Sequence, residues 1–334
     1  NTIENGWLYF PRYQDTVKTK VTVGQGAYPD LIGPELMFAH EIDAYYDEPV
    51  IIIKTAWGGK SLAVDFRPPS AGGETGTYYS RLIETVQSVT QNIESEFPEL
   101  GGTQFEIAGF AWFQGWNDGE SEAFLSEYES NLRNLLSDVR TDLQVPDLPF
   151  VVVSSGHGGV ELSSDLWVQG LQTFVAPAQE NVGCDPTYGG SVGFVDSSPF
   201  FYEQSVSPED AIHHFHNNAL TYLDIGKELG IEMIKAIEDK AVCNTVSISE
   251  SLPASTIHIY PNPSVNLFSI ESKAGIMDEI ELLDIRGSSL HKWENVQTSK
   301  TEIEITGPDG VYLIKVSGKN GSESVHKLIK SSHQ

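Results

Sequence analysis

The sequence predicts an α/β domain, a parallel sheet with helices on both faces, followed by a small all-β domain. Three observations carry this. Up to about residue 240, short apolar runs alternate with amphipathic stretches, as in a parallel sheet covered on both sides. After Cys243 the helical period vanishes, and short alternating runs broken by Gly and Asn turns replace it. The 334 residues also exceed one domain of ~100 to 200 residues.

Residues 34–46 (PELMFAHEIDAYY) read as the first helix, and 49–56 (PVIIIKTA) as a buried strand ending in the glycines of KTAWGGKSL. A second helix covers 78–97. The run 105–115 (FEIAGFAWFQG) is a strand, apolar on both faces, that breaks into Trp116, Asn117 and Asp118. Phe124, Tyr128, Leu132, Leu135, Leu136, Val139 and Leu143 then recur at helical spacing, with Asp118 or Ser121 available as the N-cap. Strands at 149–156 and 191–198 and a helix at 220–239 complete the domain, placed at 1–243. Residues 244–256 are polar and aperiodic, which makes them a linker to the β domain at 257–334.

The formal charge is -27, and residues 255–334 hold 8 Lys+Arg and 10 Asp+Glu, leaving 12 basic and 37 acidic residues upstream. Phosphate binding needs clustered cations, so a nucleic-acid partner is not expected. No apolar run approaches the ~18 residues of a spanning helix, so membrane insertion is not expected either. Cys184 and Cys243 are the two cysteines. They exclude a zinc-cysteine framework and leave either one disulfide or two buried thiols.

Ligands bind such sheets at the carboxyl ends of the strands, where three blocks stand out. Gly58 and Gly59 permit close backbone approach and can point an N–H at an oxygen. Asn117 offers an amide donor to a developing oxyanion, or belongs to a plain turn. His213, His214 and His216 crowd the start of the last helix, with Asp210 just upstream. Adjacent histidines rarely converge on a metal, so no metal or other cofactor is expected, and a neutral imidazole is the natural general base. Surface histidines capping a helix are the plainer alternative.

Taken together, IGPELMFAHEI, EPVIIIKTAWGGKSL, DFRPPS, IAGFAWFQGWNDG, YESNLRNLLSDVRTDLQVPDLPFVV and HHFHNNALTYLDIGKELG resemble the sialate O-acetylesterase-like and acetylxylan esterase-like branch of the SGNH hydrolases. They run in order over residues 32–230. The resemblance implies a flavodoxin-like three-layer α/β/α sandwich and a Ser-His(-Asp) mechanism that removes O-acetyl groups from a polysaccharide or sialic-acid-type glycan. It places Gly58, Gly59 and Asn117 at the oxyanion, with Gln114 sharing that role or contacting substrate. His214 is the base on its match to His-aromatic followed by Asn218-Ala219, with His213 as second choice, and Asp210 orients it. Trp57, Trp116, Asp118 and His216 fall to substrate binding, while Trp112 and Phe113 are better read as core.

The family's nucleophile block, often Gly-Gln-Ser-Asn, precedes the IGPEL segment, where this chain has Gly24-Gln25-Gly26 and no serine. No strongly apolar strand comes before it. The chain also begins at Asn1 with neither an initiator Met nor a signal peptide. The expectation is a sequence truncated at its N-terminus, with the first strand, the serine and the signal peptide upstream, and a fragment inactive as it stands. A non-catalytic carbohydrate-binding protein and a lipase or thioesterase of the same fold are the alternatives.

The tail resembles the C-terminal sorting domain of type IX secretion cargo, on YPNPSVNLFSIES, IELLDIRGSSL, DGVYLIKV and VHKLIK. An accessory carbohydrate-binding β-sandwich is the alternative. The resemblance implies type IX machinery as a partner, passage through the periplasm, and a secreted or cell-surface protein.

Overall fold

The computed structural model describes residues 2–102, 104–161, 163, 165–243, 257–262, 264–273, 275–283, 289–308, 310–318 and 323–330. They fall into two compact units, 1–243 and 244–334. The expected linker at 244–256 lies outside the described residues.

The first unit runs β1 (Gly6–Pro11), β2 (Thr16–Lys20), α1 (Glu35–Tyr45), β3 (Val50–Ile53), α2 (Thr77–Gln91), α3 (Ile93–Glu96), β4 (Phe110–Phe113), α4 (Glu122–Asp142), β5 (Phe150–Val153), α5 (Leu166–Gly170), α6 (Ala176–Gly183), β6 (Val192–Val195) and α7 (Ala219–Ile237). Where one parallel sheet was expected, there are two sheets of three strands. In one, β1 pairs antiparallel with β2 and parallel with β3, with Trp7 opposite Ile51. In the other, β4, β5 and β6 are all parallel, with Phe110 opposite Phe150 and Phe150 opposite Val192.

The central strand β5 explains why helices cover both faces. Phe150 and Val152 join a core with Leu82 and Val86 of α2, Leu132, Leu135 and Val139 of α4, and Val182 of α6. Val151 and Val153 point the other way, to Ile42 of α1 and Ile225, Leu229 and Met233 of α7. This is the period-two alternation of a strand. Burying each such side chain stabilises by roughly 1.5 to 3 kcal/mol.

Three expectations need correction. Gly6–Pro11 is a buried strand, although it was not read as one: its bulky residues Trp7, Leu8 and Phe10 are covered, and Pro11 ends it after six residues. The strand expected over 105–115 forms only at Phe110–Phe113. Its sole partner is β5, whose ladder stops at Pro149, which has no N–H to donate. The segment 166–183, given no element from sequence, is helical, with a wider turn at Leu171–Val175 between α5 and α6.

Cys184 and Cys243 are paired, with Cα atoms 5.4 Å apart. The bond ties the end of α6 to the segment after α7. Closing a loop of this length stabilises by roughly 4 kcal/mol in the chain-entropy picture. No helix among the described residues is long and apolar enough to cross a membrane.

The second unit contains β7 (Ile257–Tyr260), β8 (Leu267–Ser272), β9 (Met277–Leu283), β10 (Ser289–Thr298), β11 (Lys300–Glu304), β12 (Gly310–Gly318) and β13 (Glu323–Lys330). They form antiparallel sheets of order β10-β9-β12-β13 and β11-β8-β7. Both sheets bury one core, to which Phe268, Ile270, Ile280, Ile303, Ile314 and Leu328 contribute.

Candidate active site

The loops that leave β3 and β4 carry the first two blocks. Beyond β3 the chain turns at Gly58 and Gly59, both exposed. Gly59 has φ +70, in the left-handed region that glycine alone enters without strain, and a Cβ at either glycine would meet nothing within 4 Å. The backbone there is open to a ligand. At the end of β4, Gly115 serves close packing instead, since a Cβ would come within 2.9 Å of Val175 and 3.1 Å of Ser155.

The three polar residues of the β4 loop have different fates. Asp118 is fully buried and accepts hydrogen bonds from Leu62 N and Ala63 N, each at 2.9 Å, and from Gln114 Nε2 at 2.7 Å. Gln114 Nε2 also donates to Lys60 O at 3.0 Å, while Tyr128 Oη lies 3.1 Å from Gln114 Oε1. Both residues therefore pin the β3 loop to the β4 loop. The amide of Gln114 has no hydrogen left for an oxyanion, and Asp118, expected at the substrate, is walled off from it. Asn117 alone is half-buried with an amide that makes no hydrogen bond among the described residues. Ser121, not Asp118, caps α4, accepting from Phe124 N at 3.3 Å.

Burial pushes the Asp118 carboxyl up to about 6, against the three donors that favour its charge. The folded value thus exceeds the unfolded one of about 3.9. The stabilisation is fully present below the unfolded pKa and is lost as pH rises through about 6, which amounts to roughly 3 kcal/mol for two pH units. Urea denaturation at pH 4 and pH 7 checks this. Asp118→Asn is expected to shrink the stability difference between the two pH values by about that amount relative to the parent, and an unchanged difference would contradict it.

The histidine block is a strained turn. Phe215, His216 and Asn217 have φ of 50, 55 and 53, a left-handed run costing roughly 1 to 3 kcal/mol per residue. Phe215 holds it in place: buried, it packs on Phe113, Phe201 and Tyr222. Tyr222 Oη also donates to His214 O at 3.1 Å, and Asn218 caps α7. His213 and His214 are exposed, and neither ring makes a hydrogen bond among the described residues. Partial desolvation of the His214 ring, followed by the neighbouring His213, lowers its pKa, while Glu209 raises it. Asp210 is not brought to His214. It is exposed, and its nearest imidazole is His216, at 3.9 Å. His216 is itself buried, with Nδ1 3.2 Å from Glu209 O. That position removes it from the substrate-facing role expected of it.

The Trp116 ring stands 5.7 Å from that of His213, so the Asn117 loop and the histidines share one neighbourhood. Trp57 does not join them. It is buried against Phe66 and Tyr78, donates to Pro11 O at 3.0 Å and lies under Arg81, so it is core and not a sugar platform. Trp112 is core as expected. Two residues went unnoticed in the sequence. His157, in the turn after β5, is buried between Phe215 at 4.4 Å and Trp116 at 4.9 Å. Burial lowers its pKa to about 3, so the ring stays neutral. Trp167 of α5 stacks on Trp116 at 5.9 Å. The run of glycines around His157 was the available signal for the first; Trp167 offered none.

A comparison with curated proteins finds no match. Among solved structures, a protein from Arabidopsis thaliana is 17% identical, with a TM-score of 0.47, covering 70% of this chain and 82% of its own. A carbohydrate acetylesterase from Xanthomonas citri is 13% identical, with a TM-score of 0.46, covering 98% of this chain and 72% of its own. Residues 258–331 match the secretion system C-terminal sorting domain. This second unit therefore marks a type IX cargo, a protein secreted or held at the cell surface. Residues 14–198 match the family described as carbohydrate esterase, sialic acid-specific acetylesterase. That stretch holds the Gly58-Gly59 and Asn117 loops, ends before the histidine turn and spans more than half of the 334 residues, and on it the chain belongs to this carbohydrate esterase family.

Proposed function

We propose that the first unit hydrolyses O-acetyl esters of a glycan through a serine carried on a parallel strand between β3 and β4, from a segment outside these 334 residues. The observation that carries this is the state of those two strands. Val50–Ile53 is wholly aliphatic yet only half-buried, whereas β5 is buried throughout. β4 is likewise partly exposed, and each strand has one edge without a ladder. An apolar strand inserted there would satisfy both edges and unite the two sheets into one three-layer sandwich. Its carboxyl end would emerge between the Gly58-Gly59 and Asn117 loops.

In this reading the serine Oγ attacks the acetyl carbonyl and His214 takes its proton. Asn117 Nδ2 and a backbone N–H at Gly58 or Gly59 hold the oxyanion. The imidazolium returns the proton to the sugar oxygen as the ester C–O bond breaks. Water, deprotonated by the same imidazole, then releases acetate. Glu209 acts on His214 by its charge, while its carboxylate accepts from Asn217 Nδ2 at 2.7 Å. The two family matches support an acetylated glycan as substrate and the type IX machinery as export partner.

Labelling the full-length protein with a fluorophosphonate, followed by peptide mapping, tests the proposal. The label is expected on a Gly-x-Ser segment outside residues 1–334, together with turnover of p-nitrophenyl acetate. A label on Ser61 or Ser155 would place the nucleophile within this chain and overturn the strand. No label and no turnover would leave a glycan-binding protein on an esterase fold.

A further inference from the structure

We propose that Trp116 and Trp167 wall a sugar subsite that takes a neutral pyranose ring of the acetylated glycan, with Trp167 as a specificity-determining residue. The proposal rests on the esterase reading above and deepens it. The two indoles come from separate segments yet lie 27° from parallel, 5.9 Å apart, both half-buried. Several contacts build this arrangement. Asp165 caps α5 by accepting from Trp167 N and Val168 N. Trp167 Nε1 donates to Trp116 O at 3.0 Å, so its one polar atom is satisfied and the rest of the ring is apolar surface. Gly119 leaves room for the indole, since a Cβ there would come within 2.7 Å of Trp167 Nε1.

Behind the wall is a second, independent feature. The hydroxyl of Ser155 is buried without a hydrogen-bond partner, and the buried His157 ring lies beside the His213 backbone. A polar group left without a partner in the interior is unfavourable, and both residues fall in this one turn. The His157 ring sets its edge against Trp116 and its face against Phe215, joining the indole wall to the turn that bears His214. His213 closes the side toward His214. Aromatic faces beside the exposed His213 and His214 rings suit a sugar, whose ring has an apolar C–H face and a polar rim.

Charge decides which sugar. Lys18, Lys20, Lys54, Lys60, Arg67, Arg133, Lys235 and Lys240 are ion-paired with carboxylates. Arg12 and Arg81 lie over Phe10 and Trp57, and Arg140 donates to Leu148 O. Lys227 of α7 is exposed, and among the described residues no Lys or Arg makes a hydrogen bond, ion pair or cation–π contact with Trp116, Trp167, His157 or His213. Apart from the exposed imidazoles of His213 and His214, the neighbouring exposed ionisable groups are acidic: Glu120 in the Trp116 turn, Asp165 at the cap, and Glu209 and Asp210 before the histidines. A sugar carboxylate would meet like charge with no cation to pair it. A neutral ring meets none of this.

The test is an equilibrium titration of the full-length protein, read by tryptophan fluorescence, with an O-acetylated xylo-oligosaccharide and with an O-acetylated sialic acid. The neutral sugar is expected to bind at least tenfold more tightly. Trp167→Ala should weaken it by about tenfold, and Trp167→Phe should recover most of the loss, a rescue that a merely structural role would not give. Equal or tighter binding of the sialic acid, or Trp167→Ala binding as the parent does, would overturn the proposal. If Trp167→Ala does not fold, Trp167→Phe and the two-sugar comparison still decide it. Acetate release is measured separately. Binding without release would sink the esterase reading and keep the subsite, while release with preferred sialic acid would do the reverse.

Discussion

His214→Ala in the full-length protein is expected to lower kcat for p-nitrophenyl acetate by about 10⁴-fold or more. Without a base the serine keeps its proton, and single losses from such a unit cost nearly as much as losing all of it. His213→Ala should cost less than about tenfold, because His214, not His213, precedes the Phe215 anchor that locks its backbone. The reverse ranking would move the base to His213. The pH profile gives an independent reading. Desolvation and His213 hold the His214 pKa below its ordinary value. The neutral form therefore persists to lower pH, and the acid limb of kcat/KM should lie below about 6.5, the unperturbed histidine value. A limb above 6.5 would contradict the assignment.

Asn117→Ala is expected to lower kcat by about 10² to 10³-fold with KM changed far less, the loss of one oxyanion donor. The structure narrows this prediction to one residue of the loop. Gln114 and Asp118 spend their polar atoms on each other and on the β3 loop. Their replacement should act through stability, visible in urea melts. A rate for Asn117→Ala within twofold of the parent would remove Asn117 from the site.

Much of this architecture was legible residue by residue. The helices 34–46 and 220–239 came out within two residues of α1 and α7, because their apolar faces repeat at the helical period. The strands expected at 149–156 and 191–198 were longer than observed, since they took in the Ser154-Ser155-Gly156 and Asp196-Ser197-Ser198 segments that follow each ladder. Gly6–Pro11 escaped because its burial depends on β2 and β3 flanking it. α5 and α6 escaped because Gly170, Pro177 and Gly183 blur their period.

By itself the sequence determined two domains of different class, the order of the glycine, Asn117 and histidine blocks, and the export tail. The first two are properties of local period and spacing, and the third rests on the resemblance of the tail to a known sorting domain. Only the tertiary structure decided which side chains of one loop are claimed by partners within the protein. Gln114, Asn117 and Asp118 are all polar and nearly adjacent, yet the partners that claim two of them come from residues 60–63 and from Tyr128. The same holds for Trp57 against Trp116, for Cys184 with Cys243, and for Asp210, which sits beside His216. Contacts between segments far apart in the chain set each of these outcomes. No pattern within a segment encodes them.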